Sequence, residues 1–236
     1  MDSFLRRLKY YGIGFGIGLV FVFVFFQNRG CSWLPSNRVK NSLLERVIVV
    51  SDEEYEIFRA KGITAKDVLS ALNDGEVHFG ESKKASDADP KVYALDKDIP
   101  KKGSLRFYFT LPNESYITEV SISASHANKV GNSQKGKGRI LRLPQEKNLL
   151  YVDSTNNLRC QLQEIGLSEN KKLYAQWKKT ARIDFERSLL RLSPKPEHYV
   201  EFQDAKGNWV GSKSIWYKNK ISISSFDLPF DTDCND

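Results

Sequence analysis

The apolar run from Tyr10 to Phe26 limits what this chain can be more than any other stretch of its sequence. It holds no charged residue and follows a basic segment, residues 1–9. As an α-helix the run would rise roughly 25 Å, close to the thickness of a bilayer core. The sequence therefore predicts a transmembrane helix over residues 10–27, with residues 1–9 as a cytoplasmic N-terminus.

The sequence of this run also allows two other interpretations. A cleaved signal peptide has the same basic start and apolar middle, but it needs small residues before the cleavage site. Asn28, Arg29 and Gly30 supply only one small residue there. A lipoprotein would carry Cys31 at its new N-terminus, and Arg29 argues against that reading because the preceding residues should be small and apolar.

The distribution of Lys and Arg around the run predicts its orientation. Basic residues are denser before the run than after it, and the positive side of a membrane helix stays in the cytoplasm. We therefore expect a single-pass protein of the cytoplasmic (inner) membrane, integral by one span, with the soluble part outside the cytoplasm.

Glycines alternate inside the predicted span, at Gly12, Gly14, Gly16 and Gly18. They form two overlapping G-x-x-x-G pairs, a spacing that lets two membrane helices approach closely. The pattern suggests a homodimer formed through this helix. Glycine is also common in membrane helices without such a role.

Composition describes the chain as mildly basic, with the apolar content of an ordinary globular protein. The sequence has 36 Lys and Arg against 29 Asp and Glu, a net charge of +7, and 40% hydrophobic residues. An anionic lipid surface or a polyanion is therefore a compatible partner but not an implied one. Cysteine is scarce, and pairing of Cys160 with Cys234 stays open, because two distant thiols alone do not define a disulfide framework.

The pattern of strands, helices and breaks predicts an α+β protein: an N-terminal transmembrane helix followed by two small α+β domains with antiparallel sheets. We expect these segments after the helix: a juxtamembrane connector (28–45), a first domain (46–125), a basic Gly/Lys linker (126–138), a second domain (139–230) and an acidic tail (231–236).

The first domain reads as a strand, two helices and an antiparallel meander. Val47–Val50 is a β-branched run typical of a buried strand, and Ser51 with Glu54 predicts a helix N-terminus with a capping box. Thr64 predicts the start of a second helix that ends at Gly75. Strands are expected at Glu76–Gly80, Lys91–Leu95, Ser104–Leu111 and Tyr116–Ser123.

This stretch resembles the bacterial domain of unknown function 4258, whose element order is similar to that of RelE-type ribonuclease toxins. The resemblance is carried by residues 61–64, 67–69, 73–76 and 117–120. At the two positions where the family has a His and an Arg on the first helix, this chain has Glu53 and Ile57. The whole chain also resembles uncharacterised membrane-anchored proteins of Bacteroidota.

No pattern in the sequence indicates a catalytic, cofactor or metal site. Gly131 to Gly138 almost matches a P-loop, but Gly138 lacks the hydroxyl that binds Mg²⁺, and a strand rather than a helix is expected to follow. His78, His126 and His198 are scattered and lack neighbours at metal-ligand spacing. We expect no catalytic residue, no cofactor and no metal, and we expect His78 and His198 to be structural residues in strands.

The second domain contains one basic, aromatic segment. A helix is expected from about Ser168, and around its Tyr174 and Trp177 the sequence places five basic residues: Lys171, Lys172, Lys178, Lys179 and Arg182. They are the candidate partner-binding surface, for an anionic membrane or a polyanion. The alternative is a solvated charged face whose aromatic residues enter the core.

Two hypotheses about function follow. The first is a non-enzymatic, membrane-anchored binding or structural module that meets another envelope protein or a surface polymer, without nucleic acid. The alternative is a degenerate RelE-type ribonuclease-like or RNA-binding module facing the cytoplasm. A basic cleft containing Arg106 and Tyr108 would favour the alternative.

Overall fold

The computed structural model describes residues 2–27, 34–84, 90–112, 115–124, 136–145, 149–152, 156–217 and 219–234. The chain divides into two units, residues 1–39 and 40–236. The predicted lipoprotein residue Cys31, His126 and most of the predicted linker lie outside the described residues.

The first unit contains the helix α1 (Asp2–Gln27), and here the predicted transmembrane helix is wrong. In the part of the chain that the structure describes, no helix is both long enough and apolar enough to cross a membrane. Four of the first eight residues of α1 are charged, so its apolar part, residues 10–26, rises about 25 Å against about 30 Å of hydrocarbon. The prediction of a single-pass protein of the cytoplasmic membrane is corrected with it.

The remaining elements begin with α2 (Pro35–Leu44), which lies within the segment predicted as a connector. The other elements, in chain order, are β1 (Val47–Ser51), α3 (Asp52–Ala60), α4 (Ala65–Asp74), β2 (Glu76–Lys83), β3 (Lys91–Ile99), β4 (Gly103–Leu111), β5 (Ile117–Ser121), β6 (Lys137–Arg142), β7 (Leu150–Val152), α5 (Asn156–Glu164), α6 (Asn170–Thr180), β8 (Arg182–Leu189), β9 (Glu197–Gln203), β10 (Trp209–Tyr217) and β11 (Lys220–Asp227).

The described strands form one 11-stranded sheet in the order β2-β3-β4-β5-β1-β6-β8-β9-β10-β11-β7. The sheet is mixed, because β1 pairs with β5 in parallel and β11 pairs with β7 in parallel. The predicted fold of two small domains with separate antiparallel sheets is therefore wrong. The physical reason is β6, which pairs with β1 on one side and with β8 on the other and so joins the two halves.

Local signals at the helix starts agree with the structure. The Ser51 hydroxyl accepts a hydrogen bond from the Glu54 amide, as a helix N-cap does. The Glu54 carboxylate is buried and accepts from the amide of Ile122, directly after β5, at 2.6 Å. At the start of α4 the Thr64 amide donates to Asp67 at 2.7 Å.

One hydrophobic core serves both halves of the sheet. Val47 and Ile117 from the first half belong to the same buried cluster as Trp177 on α6 and Phe202 on β9. The Trp177 and Phe202 rings are 6.0 Å apart, centroid to centroid. Because the halves bury the same apolar surface, they fold around a shared core.

The sheet is strongly bent around this core. Tyr116, directly before β5, has its ring 4.2 Å from the His198 ring on β9, and its hydroxyl is 2.7 Å from the Ser214 hydroxyl on β10. In the sheet order β5 and β9 are separated by β1, β6 and β8. Their contact requires the sheet to curl, and the curl creates the cavity described below.

Candidate functional site

The basic residues predicted as a partner surface lie on two elements. Lys171, Lys172, Lys178 and Lys179 are exposed on α6. Arg182 begins β8, and its guanidinium lies 5.4 Å from the centroid of the Trp209 ring. The surface stays a prediction.

The aromatic residues of α6 point the other way. Trp177 is fully buried, and Tyr174 is half-buried and donates from its hydroxyl to the Pro144 carbonyl at 2.9 Å. The helix therefore has the solvated basic face and the buried aromatic face that the sequence allowed as the alternative.

The predicted helix-packing glycines, Gly12, Gly14, Gly16 and Gly18, all lie in α1. A Cβ atom built at any of them would meet nothing within 4 Å. The surface there is open, and packing of a second helix against it stays a prediction.

Strands β2, β3 and β4 carry a polar cluster around Asp96. Arg106 Nε donates to Asp96 Oδ1 at 2.6 Å, and Arg106 Nη2 donates to Asp96 Oδ2 at 2.8 Å. His78 Nε2 lies 3.1 Å from the same carboxylate. The hydrogen bond from Arg106 lowers the pKa of Asp96, and the bond to Asp96 raises the pKa of Arg106. The two charges neutralise each other, so Arg106 and Tyr108 do not form a basic cleft.

A buried pair of Ser115 and His198 lies where β5 and β9 approach each other. Ser115 Oγ is 2.7 Å from His198 Nε2 and also accepts from the Ile117 amide at 3.0 Å. Both side chains are fully buried. Burial lowers the pKa of His198 to about 4, so the ring is neutral at pH 7. Its other nitrogen, Nδ1, makes no hydrogen bond within the described residues.

Beside this pair is a cavity of about 250 Å³, which we call the aromatic cavity. Its lining combines two aromatic rings, four apolar side chains and two polar residues. The lining residues are Glu45, Val47, Tyr116, Pro144, Leu149, Trp216, Asn219 and Ile221.

Both aromatic walls of the cavity are fixed by their neighbours. The Arg46 guanidinium lies 5.0 Å from the centroid of the Trp216 ring, a cation–π contact, and Lys195 Nζ donates to the Trp216 carbonyl at 3.0 Å. The Tyr116 carbonyl accepts from the Val47 amide at 2.9 Å. Burial raises the pKa of Tyr116, so its hydroxyl stays protonated and hydrogen-bonded to Ser214.

The apolar walls are held in the same way. The Pro144 carbonyl accepts the hydroxyl of Tyr174, and the Leu149 carbonyl accepts from the Ile221 amide at 2.7 Å. The cavity is therefore pre-formed. A pre-formed concave site lined by apolar and aromatic side chains with a few polar groups has the character of a ligand-binding site, here for a small group.

A second pocket, of about 160 Å³, lies beside Arg187, Tyr199 and Asp227. The Arg187 guanidinium lies 3.6 Å from the centroid of the Tyr199 ring and donates to Asp227 at 2.6 Å. The Tyr199 hydroxyl donates to the same carboxylate at 2.7 Å, and this bond first, then that from Arg187, lowers the pKa of Asp227. Because these groups satisfy one another, the pocket is a weaker candidate than the aromatic cavity.

Sequence reasoning did not identify the aromatic cavity. Glu45, Tyr116 and Trp216 come from three distant parts of the chain, and each lies in a segment without a known binding motif. No three His, Cys, Asp or Glu residues are grouped to hold a metal ion within the described ranges.

The sequence feature that marks the aromatic cavity is a set of aromatic and polar residues near strand ends. This feature can be recognised only once the fold is known. Comparison with known proteins adds nothing to the site, and the resemblance to domain of unknown function 4258 stays a prediction. No family model, curated protein or solved structure matches this chain.

Proposed function

We propose that this chain is a non-enzymatic binding module that holds a small apolar group in the aromatic cavity. The observation that carries the proposal is the pre-formed, aromatic-lined cavity of about 250 Å³. Its walls are hydrogen-bonded to one another, so little conformational entropy is lost when a ligand enters.

The Ser115–His198 pair has the residue types of a catalytic serine and its base, but its position supports binding rather than catalysis. A serine nucleophile must reach the substrate and must be activated by a base. Neither Ser115 nor His198 lines the cavity, and both side chains are fully buried. The pair instead links β5 to β9 as part of the core.

The alternative, an RNA-binding or ribonuclease-like module, needs cations that are free to contact phosphates. Arg106 is the residue expected to supply such a charge on the first sheet, and it is held by two hydrogen bonds to Asp96. This observation favours the binding module that uses the aromatic cavity.

The test is the binding of n-butanol, a small apolar probe, followed through the indole N–H resonance of Trp216. We expect a saturable shift with a dissociation constant of roughly 1–100 mM, because a ligand of few atoms has a limited affinity. Leu149→Trp, which fills the cavity, should abolish the shift. Phe79→Trp introduces the same ring at a site that is 52% exposed and away from the cavity, and it should leave the binding unchanged.

Absence of a saturable shift in the wild-type protein would refute the proposal. So would equal binding by the wild-type protein and a folded Leu149→Trp variant.

A further inference from the structure

We infer that the group held in the aromatic cavity ends in a hydrogen-bond donor, and that a primary ammonium on a short apolar stem is the preferred form. The inference rests on the proposed function and adds the chemical class of the ligand. It comes from how the polar and apolar residues of the lining are distributed.

The lining is apolar at its buried side and polar at its exposed side. Val47, Tyr116 and Ile221 are at most 2% exposed. Glu45 and Asn219 are exposed and so lie at the mouth. A ligand that satisfies both regions has an apolar stem directed inward and a polar end group at the mouth.

The mouth offers acceptors to this end group. Glu45 is the one charged residue among the described residues of the lining. Within the described chain, its carboxylate makes no ion pair and no side-chain hydrogen bond, and Asn219 adds an amide oxygen. A carboxylate accepts hydrogen bonds but cannot donate them, so it selects donors and repels anions.

Three cations close to the cavity within the described residues act against an ammonium, and their positions limit that effect. Arg46 lies over the Trp216 ring and donates to the Ser115 carbonyl, and Lys195 donates to the Trp216 carbonyl. Arg142 donates to the carbonyl of Leu44, next to Glu45 in the chain. None of the three lines the cavity, so an ammonium at the mouth would contact Glu45 directly, whereas these cations act from outside the lining.

The experiment compares three probes of equal length, n-butylammonium, n-butanol and butyrate, at one pH and one ionic strength. The readout is again the Trp216 indole resonance. We expect the affinity order butylammonium, then butanol, then butyrate. Glu45→Gln keeps the shape of the side chain and removes its charge, so it should weaken butylammonium binding about threefold, the size expected for an exposed ion pair. It should weaken butanol binding less than butylammonium binding, because the hydroxyl donor carries no charge.

The two proposals fail in different ways. If butyrate binds as tightly as butylammonium, or if Glu45→Gln leaves butylammonium binding unchanged, the inference is wrong while the binding function stands. If none of the three probes binds, both the binding function and the inferred ligand class are refuted.

A fourth probe, Nα-acetyl-lysine-N-methylamide, distinguishes two sources of the same chemistry. Binding as tight as that of butylammonium would support a lysine side chain of a partner polypeptide as the ligand. Binding of butylammonium alone would support a small free amine. Either result supports a donor end group.

Discussion

At the scale of single residues, His198 is an ionisable group that is fully buried in the core. Its ring lies against Tyr116 and its Nε2 is 2.7 Å from the Ser115 hydroxyl, with no exposure to solvent. If this ring were protonated, it would be a buried charge without a counter-charge, which is energetically unfavourable. Burial accordingly lowers the pKa of His198 to about 4.

The buried histidine predicts a loss of stability in mild acid. An unfolded histidine titrates near a pKa of about 6.5, so between this value and the folded pKa of about 4 the unfolded chain binds more protons. Stability should therefore fall as the pH falls from about 6.5 to about 4, by about 3 kcal/mol. Urea denaturation at several pH values measures the effect.

His198→Gln cannot titrate and is the control for this prediction. The difference in stability between the wild-type protein and the variant should shrink as the pH falls. A difference that stays constant from pH 7 to pH 4 would show that His198 does not titrate with folding.

The sequence could predict where His198 lies but not what surrounds it. The sequence predicts that His198 lies in a strand, and β9 contains it. Its partners, Ser115 and Ser214, are far away in the sequence. Burial of a polar side chain depends on such distant partners, so a local pattern does not reveal it.

At the scale of elements, β6 joins the two halves of the sheet, and Gly138 allows this strand to pack closely against its neighbours. A Cβ atom at this position would lie 2.5 Å from Val49 Cγ1 and 2.7 Å from Phe185 Cζ. These distances are too short for real carbon contacts, so only glycine lets β6 fit between its neighbours. The residue that almost completed a P-loop in the sequence has a packing role.

Gly138→Ala should therefore destabilise the protein by about 1–3 kcal/mol, the usual cost of overpacking a core. Gly80→Ala is the matched control, because Gly80 also lies in a strand and a Cβ there meets nothing within 4 Å. Denaturant midpoints of the two variants measure the difference. Equal midpoints would show that β6 has room for a methyl group.

The elements themselves were largely predictable, and their pairing was not. Val47–Val50 forms the predicted strand, as part of β1, and the helix expected from Thr64 to Gly75 is α4. Hydrophobic period and capping residues are local, so the sequence carries them. The parallel pairing of β1 with β5 and the bridge through β6 depend on long-range burial, and two separate sheets were expected instead.

At the scale of the whole molecule, a disulfide joins Cys160 on α5 to Cys234. The bond closes a loop with a sequence separation of 74, which contains α6 and β8 to β11. A cross-link of this span reduces the conformational entropy of the unfolded chain. The sequence left this pairing open, because only the fold brings the two residues together.

Removing the disulfide should cost about 2–4 kcal/mol of stability. The double variant Cys160→Ser, Cys234→Ser should unfold at lower denaturant concentration than the oxidised wild-type protein. Reductant should lower the midpoint of the wild-type protein and leave that of the double variant unchanged. A wild-type midpoint that does not move after the two thiols have been freed would contradict the prediction.

The parallel pairing of β7 with β11 has a consequence for protein synthesis. A chain is translated from its N-terminus, so Leu149 and β7 leave the ribosome well before Trp216, Asn219 and Ile221. The early segments cannot complete the aromatic cavity by themselves. The nascent chain therefore has no such cavity until the β10–β11 hairpin has been made, and any ligand of the cavity can be held only after translation has passed Ile221.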